Sequence, residues 1–374
     1  MRSIAISQMD TAFAGGSYPI EFLFYYNYTI SKKEVENILA AISDAFWPVF
    51  GQYADGMISE KPFRATNHVY ASDLGFEFDA GEGIDAIIQS YRERLPLHLS
   101  NLFEVHIFHH SNGTVLIPRL NHLAGDGFSY FYILSVMALV GDTHHSAGNL
   151  IEAIANFIPI HNRTIFKPYR LSQQKIPTFA AREVAAIHLK YVPKKQVKEQ
   201  LRTARKEHGI KLSNNDILTA ISLKEIEKNN NGNFMDPVKL SMPVDVRGIV
   251  NVYGKLFFGN PLQFHRFAIQ RAALVEKSVI EVASLIRQSI PEITPDSYFR
   301  YLDTIEQAIE KGDFARVNPF DTENECLVTN LSLLPAPKLN FGQGNPDFIV
   351  PLNIEKNSSA ILADSENYIL RLGI

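Results

Sequence analysis

The stretch from Glu104 to Leu134 constrains the fold of this 374-residue chain more than any other. Glu104-Val105-His106-Ile107-Phe108 and Thr114-Val115-Leu116-Ile117 alternate as the strands of a hairpin do, and Ser111-Asn112-Gly113 supplies the turn. The second strand runs directly into His122-Leu123-Ala124-Gly125-Asp126-Gly127. Phe128-Ser129-Tyr130-Phe131-Tyr132-Ile133-Leu134 follows as a buried helix. A histidine therefore stands where a strand ends, and an aspartate where a helix begins. A strand end holds an imidazole rigidly while the loop beyond stays open, and neutral histidine is the side chain best suited to take a proton near pH 7. An aspartate at a helix start accepts backbone N–H groups or pairs with a buried cation. Gly127 admits a backbone shape or a close approach that a Cβ would block. With 12 histidines in the chain, chance supplies only about 0.04 such spacings, so coincidence of a core histidine and a helix cap is the weaker reading.

Composition narrows the class. A length of 374 residues allows two domains with sizeable cores, and 46% apolar with 20% charged residues is ordinary for a globular protein. A net charge of −4 argues against a dedicated nucleic-acid binder. The strongest apolar run, Phe131 to Val140, falls short of the roughly 18 residues a membrane span needs. Met1 to Ser7 has no secretory apolar stretch, and a lone Cys326 excludes an intrachain disulfide. A cytoplasmic chain is expected. His106, His109 and His110, like His144 and His145, lack a Cys or carboxylate at metal-ligand spacing, so no metal site is expected. No Walker loop and no GxGxxG fingerprint occurs.

Along the chain, strands and helices alternate. Ile20 to Tyr28 reads as a buried strand, and Ser31-Lys32-Lys33-Glu34 as a capping box opening a helix whose apolar face carries Val35, Ile38, Leu39, Ile42, Phe46 and Phe50. Ile84 to Leu95 is a second helix. Between His144 and Thr178 periodicity fades and Pro159, Pro168 and Pro177 gather, as in a connector. Helices are then expected around Val197, Leu201 and Ala204, over Ser213 to Glu227, Ser278 to Ser289 and Tyr298 to Lys311. A strand is expected at Val238 to Pro243, and strands at Cys326 to Asn330 and Phe348 to Asn353 are expected to finish the chain. The class is α/β in two halves.

Further stretches fall in a recognisable order: Ser7-Gln8-Met9-Asp10, Lys211 to Ala220, Val244-Asp245-Val246-Arg247, Phe257-Phe258-Gly259-Asn260, and Thr329 ahead of Asn340-Phe341-Gly342-Gln343-Gly344. With the His122 to Gly127 motif they resemble, over nearly the whole chain, the BAHD branch of the CoA-dependent acyltransferase superfamily, with its HxxxDG, LSxxD, VDxR, YFGN, TSW and DFGWG motifs. The chain departs from that pattern at Asn340 (aspartate in the family), Gln343 (tryptophan), Leu331 (tryptophan) and Leu333 (a frequent arginine).

The resemblance implies two similar chloramphenicol-acetyltransferase-like domains, each a mixed sheet flanked by helices, with a channel between them. They are expected at 1–165 and 185–374, joined by a crossover connector at 166–184. It implies direct transfer of an acyl group from acyl-CoA to the hydroxyl or amine of a small acceptor by a monomer of secondary metabolism. Acyl-CoA is a co-substrate, and no cofactor stays bound. His122 would be the base, with Asp126 and Gly127 completing the motif. Arg247 would pair with Asp126, with Asn260, Asn340, Gly342 and Gly344 as structural support. Thr329 and Asn330 would serve the oxyanion, and Lys211 and Ser213 would lie near CoA. A carrier-protein-dependent condensation enzyme and an inactive binding protein of the same fold are the alternatives. Asn121, which replaces the first histidine of the condensation-domain HHxxxDG form, weighs against the former, and intact His122 and Asp126 against the latter.

Overall fold

The structure is a computed structural model describing residues 2–13, 19–96, 99–142, 186–229, 236–250, 253–321, 323–352 and 355–374. The expected connector at 166–184, the domain end at 165, and His144 and His145 lie outside these residues.

Two large mixed sheets organise the described residues. The first has five strands in the order Phe348–Pro351, Pro19–Tyr26, Gly113–Asn121, Phe103–His110, Val69–Asp73, the last pair parallel and the rest antiparallel. The expected hairpin is its centre, turning at Ser111-Asn112. A Cβ on Gly113 would come within 2.2 Å of the Tyr26 carbonyl oxygen, so the turn needs glycine. The second sheet has six strands in the order Leu262–Ile269, Val238–Asp245, Glu325–Asn330, Ser358–Ala363, Asn367–Gly373, Ile187–Pro193. Helices Asn214–Asn229 and Val279–Ser289 cover one face of it, around a core that includes Leu218, Leu240, Val282, Cys326 and Ile361. A small three-stranded sheet completes the set.

Local chemistry sets the helix starts. Ser31 accepts from the Glu34 N–H at 3.2 Å while the Glu34 carboxylate accepts from the Ser31 N–H at 2.7 Å, so the expected capping box opens helix Lys32–Ile42. That helix ends earlier than its apolar spacing suggests. Phe46 and Phe50 are buried beyond it, Phe50 within a 3-10 turn, Trp47–Phe50, because Pro48 has no N–H to extend a helix. The helix Gly127–Gly141 is apolar all round and buries Tyr130, Phe131, Ile133, Leu134 and Met137.

Two expectations at the C-terminal end need correction. The strand Phe348–Pro351 does not join the second half's sheet; it pairs antiparallel with Pro19–Tyr26 at the edge of the first. Nor does it finish the chain, since Ser358–Ala363 and Asn367–Gly373 follow as a hairpin in the second sheet. The largest core also ignores the division: Val246, Phe257, Phe258, Tyr298 and Leu302 pack with Phe24, Ile42, Phe131 and Leu134. Side chains far apart in sequence thus share one apolar interior, and the loop carrying His122 is built against it.

Candidate active site

His122 follows the last residue of the strand Gly113–Asn121. Its ring lies deep in the protein yet is only half-buried. Phe13 covers one face of it, with ring centroids 3.8 Å apart and planes 13° from parallel. Its Nδ1 lies 3.1 Å from Asn260 Oδ1. The direction of that bond follows from what surrounds Asn260. Its amide nitrogen donates to Asp10 Oδ1 at 2.8 Å and to the His122 carbonyl at 2.8 Å, so Oδ1 must be the atom facing the imidazole. A carbonyl oxygen only accepts. Nδ1 therefore carries the proton, and Nε2 is left with its lone pair, the form a general base requires.

Burial pushes the His122 pKa below the usual histidine value, while a hydrogen bond to its own backbone, the charge of Asp126 and the Asn260 contact pull the other way. The net direction is down, so the ring is neutral at pH 7. Asp10 is itself fixed, since its Oδ2 accepts from Ser7 N–H at 2.6 Å and Ser7 Oγ at 2.7 Å.

Asp126 points elsewhere. It caps the helix Gly127–Gly141, accepting from Ser129 N–H at 3.0 Å, and receives both arms of the Arg247 guanidinium, Nη1 at 2.7 Å and Nη2 at 2.9 Å. Both side chains are almost fully buried, at 5% and 3% exposed, so the pair is shielded from water and salt. Arg247 also donates from Nε to the Phe257 carbonyl at 2.8 Å and lies over the Phe128 ring. Gly259 N–H donates to Ser129 Oγ at 2.9 Å, and Asp126 N–H donates to the Gly259 carbonyl at 3.1 Å. The expected pairing of Asp126 with Arg247 is present, and it rivets the two halves together beside the histidine.

The glycines divide differently from their apparent importance in the motif. A Cβ on Gly127 would meet Leu331 Cδ2 at 3.1 Å and Leu334 Cδ1 at 3.8 Å, whereas one on Gly125 would strike Ser129 Cβ at 2.6 Å. Gly125 is the tighter position. Asn340 shapes its own loop: its Oδ1 accepts from Gly342 N–H at 2.8 Å and Gly344 N–H at 2.9 Å. Gly342 and Gly344 have φ of 111° and 139°, values that favour glycine. Tyr26 and Tyr28 hold this loop through the carbonyls of Leu339 and Gly344.

Other expected residues are placed unequally. Thr329 lies half-buried near the end of the strand Glu325–Asn330, whose following turn brings Leu331 onto Gly127. Asn330 is exposed and its amide is committed to Asn215 Oδ1 at 2.8 Å, which removes it as an oxyanion donor. Strand alternation is the reason: adjacent residues face opposite ways. Ser213 caps its own helix through reciprocal bonds with Asp216, and Arg287 holds both. Its hydroxyl is therefore engaged structurally, while Lys211 is exposed. Sequence reasoning missed Phe13, Ser129 and Gly125 as site residues, and it quoted Asp10 only as part of a motif. The Ser7-x-x-Asp10 spacing was the available signal. His106, His109 and His110 bond separately to Glu104, Asp73 and Tyr91. Among the described residues no group of three or more His, Cys, Asp or Glu is placed to hold a metal ion, and no helix is long and apolar enough to cross a membrane. Two cavities of about 260 and 420 Å³ lie against Tyr70 and Glu104 and against Trp47 and Phe63, and His122 lines neither.

The architecture is that of the BAHD-like CoA-dependent acyltransferase fold, a mixed α/β arrangement of mixed sheets flanked by helices. TRI101 of F. sporotrichioides, crystallised with coenzyme A and T-2, matches with a TM-score of 0.73 at 12% identity, over 99% of this chain and 94% of that one. Vinorine synthase matches with a TM-score of 0.74 at 14% identity, over 100% and 90%. The first condensation domain of the calcium-dependent antibiotic synthetase matches at a TM-score of 0.57 and 11% identity, over 99% and 90%. No protein-family profile and no curated sequence matches the chain. At these identities the likeness is one of fold.

Proposed function

We propose that this protein transfers an acyl group from acyl-CoA to the hydroxyl or amine of a small-molecule acceptor. The observation that carries this reading is the tautomer of His122, held with Nε2 unprotonated by Asn260. The acceptor oxygen or nitrogen attacks the thioester carbonyl as Nε2 takes its proton. The carbonyl oxygen then bears negative charge, and the Thr329 hydroxyl is the proposed hydrogen-bond donor to it. The C–S bond breaks, the carbonyl re-forms, and His122 returns the proton to the departing thiolate. No acyl-enzyme is needed. Cys326 is fully buried and burial pushes its thiol pKa well up, which makes it a poor nucleophile.

Asp126, Arg247, Asn340, Gly342 and Gly344 hold the loops around this centre, and the exposed Lys211 is assigned to the CoA phosphates. The chain is read as two domains, 1–165 and 185–374, working as a cytoplasmic monomer. The match to a condensation domain keeps a carrier-protein donor as the second reading.

The test follows thiol release with a panel of acyl-CoA donors and acceptors, with an acceptor-free control for hydrolysis. His122→Ala should lower acceptor-dependent release by about 10²–10⁴-fold, the usual worth of a positioned base. Equal release by variant and wild type would sink the mechanism, and release only from acyl-carrier protein would favour the second reading.

A further inference from the structure

A buried cation that the reaction above does not use lies on the same sheet face as Thr329. In the six-stranded sheet Thr329 is in register with Ala360, Ala360 with Arg371, and Arg371 with Leu189. Register partners present their side chains to one face. Cys326, Val328, Ile361, Leu370 and Leu372 point into the core beneath the helices, so Thr329, Ala360 and Arg371 point the opposite way. That face turns toward the first half of the chain, where Ile187 and Leu189 pack with Ile88 and Leu352. In the register between Thr329 and Arg371 stands Ala360, with only a methyl side chain of its own. Two inter-strand spacings, about 10 Å between backbones, separate them, a span that a guanidinium side chain and a small acid can bridge.

Arg371 is 2% exposed, and among the described residues its Nε and Nη2 have no hydrogen-bond partner. No carboxylate of the described residues forms an ion pair with it. Asp85, whose Oδ1 is held by the Ile187 N–H at 2.9 Å, and Glu355 act on it only through space, and Arg92 repels it. Burial lowers its pKa to about 10, a value at which it still carries its charge at pH 7. A charged group buried with unfilled donors is unfavourable unless an anion completes it, and the planar fork of a guanidinium matches a carboxylate.

We propose that Arg371 recognises a carboxylate on one of the two substrates, so that this transferase works on an acid-bearing acyl group or an acid-bearing acceptor. The inference rests on the acyl-transfer reading and refines its substrate class.

Two arms separate the sources. The donor arm compares succinyl-CoA and glutaryl-CoA with butyryl-CoA. The acceptor arm gives acetyl-CoA with hydroxy and amino acids, each paired with its amide. In the responsible arm wild type should prefer the acid by about tenfold or more in kcat/KM, the worth of a charge-assisted hydrogen bond. Arg371→Met should bring the ratio of acid to neutral substrate near one while still turning over the neutral member, and Arg371→Gln serves if that variant does not fold. A purely structural role would lower both rates and leave the ratio alone. A thermal-shift series reads binding without turnover: the acids should raise the Tm of wild type but not of the variant, and coenzyme A should raise both alike. No acid preference in either arm, or an equal Tm response to the acids in both proteins, overturns the proposal, as does loss of the coenzyme A response in the variant. If no pair releases thiol in a His122-dependent way, the acyl-transfer reading fails separately and the thermal shift decides the carboxylate site.

Discussion

Asn260 decides what His122 can do. The amide reads its own orientation from Asp10 and a backbone carbonyl and imposes one tautomer on the imidazole. Replacing it, as in Asn260→Leu, should lower kcat by about ten- to a hundredfold, part of what a positioned base supplies, with little change in KM. The pH profile carries the sharper prediction. The Asn260 contact raises the His122 pKa, so its removal lets that pKa fall further. The neutral ring is the active form, and the acid limb of kcat/KM should therefore move to lower pH. A variant that loses rate with its acid limb unmoved would show that Asn260 only supports the loop. His122 and Asp126 were legible in the sequence because their spacing is local. Phe13, which stacks on the ring, was not, since an apolar residue that covers a histidine looks like any core phenylalanine.

At the scale of elements, the helix Gly127–Gly141 begins on a charge that belongs to both halves of the molecule. Asp126 caps it and also holds Arg247 from 121 residues away. Losing Arg247 strands the Asp126 charge in a site with almost no water, whereas losing Asp126 leaves Arg247 with Asp245, whose Oδ1 lies 3.1 Å from Nη1. Arg247→Ala should cost about 3–5 kcal/mol of stability, and Asp126→Ala less, because Asp245 still pairs with the guanidinium. The double replacement Asp126→Leu with Arg247→Met should cost distinctly less than the sum, because it leaves no orphan charge. Urea unfolding of the three variants checks this, and additive losses would argue that the two side chains act independently. The helix start at Ser31 was readable because its capping box is Ser-x-x-Glu, whereas the box at Thr294, closed by Ser297, went unread and the helix was expected only from Tyr298. The exchange of Phe348–Pro351 into the first sheet was not readable either. Strand partners are chosen by contacts across hundreds of residues, and alternation within four residues names no neighbour. The closing hairpin was missed for a related reason: Arg371, a buried charge, interrupts the apolar pattern of its second strand.

For the whole molecule, the consequence of so much shared interior is a dependence on acid. His68, His110, His122 and His265 all have pKa values pushed down chiefly by burial, and they are spread over both halves. In the unfolded chain each titrates near 6.5, above its folded value. Between the two values the unfolded chain binds more protons, so stability is fully present above about pH 6.5 and is lost as the pH falls below it. The buried carboxylate of Glu104 has its pKa lowered by His106 and the Asn101 N–H against the opposing effect of burial, so its own contribution is lost only near and below the usual carboxylate range. A comparison of pH 7.5 with pH 5.5 therefore isolates the histidines. The urea midpoint should be lower at pH 5.5, and His122→Ala should narrow the difference without abolishing it, because three other rings remain. A midpoint that holds or rises on acidification would mean that these rings accept protons without opening the core. The same experiment separates two causes of acid inactivation. Activity lost at a pH where the fold is intact reports protonation of His122 alone, whereas activity and structure lost together report the interior that both halves share.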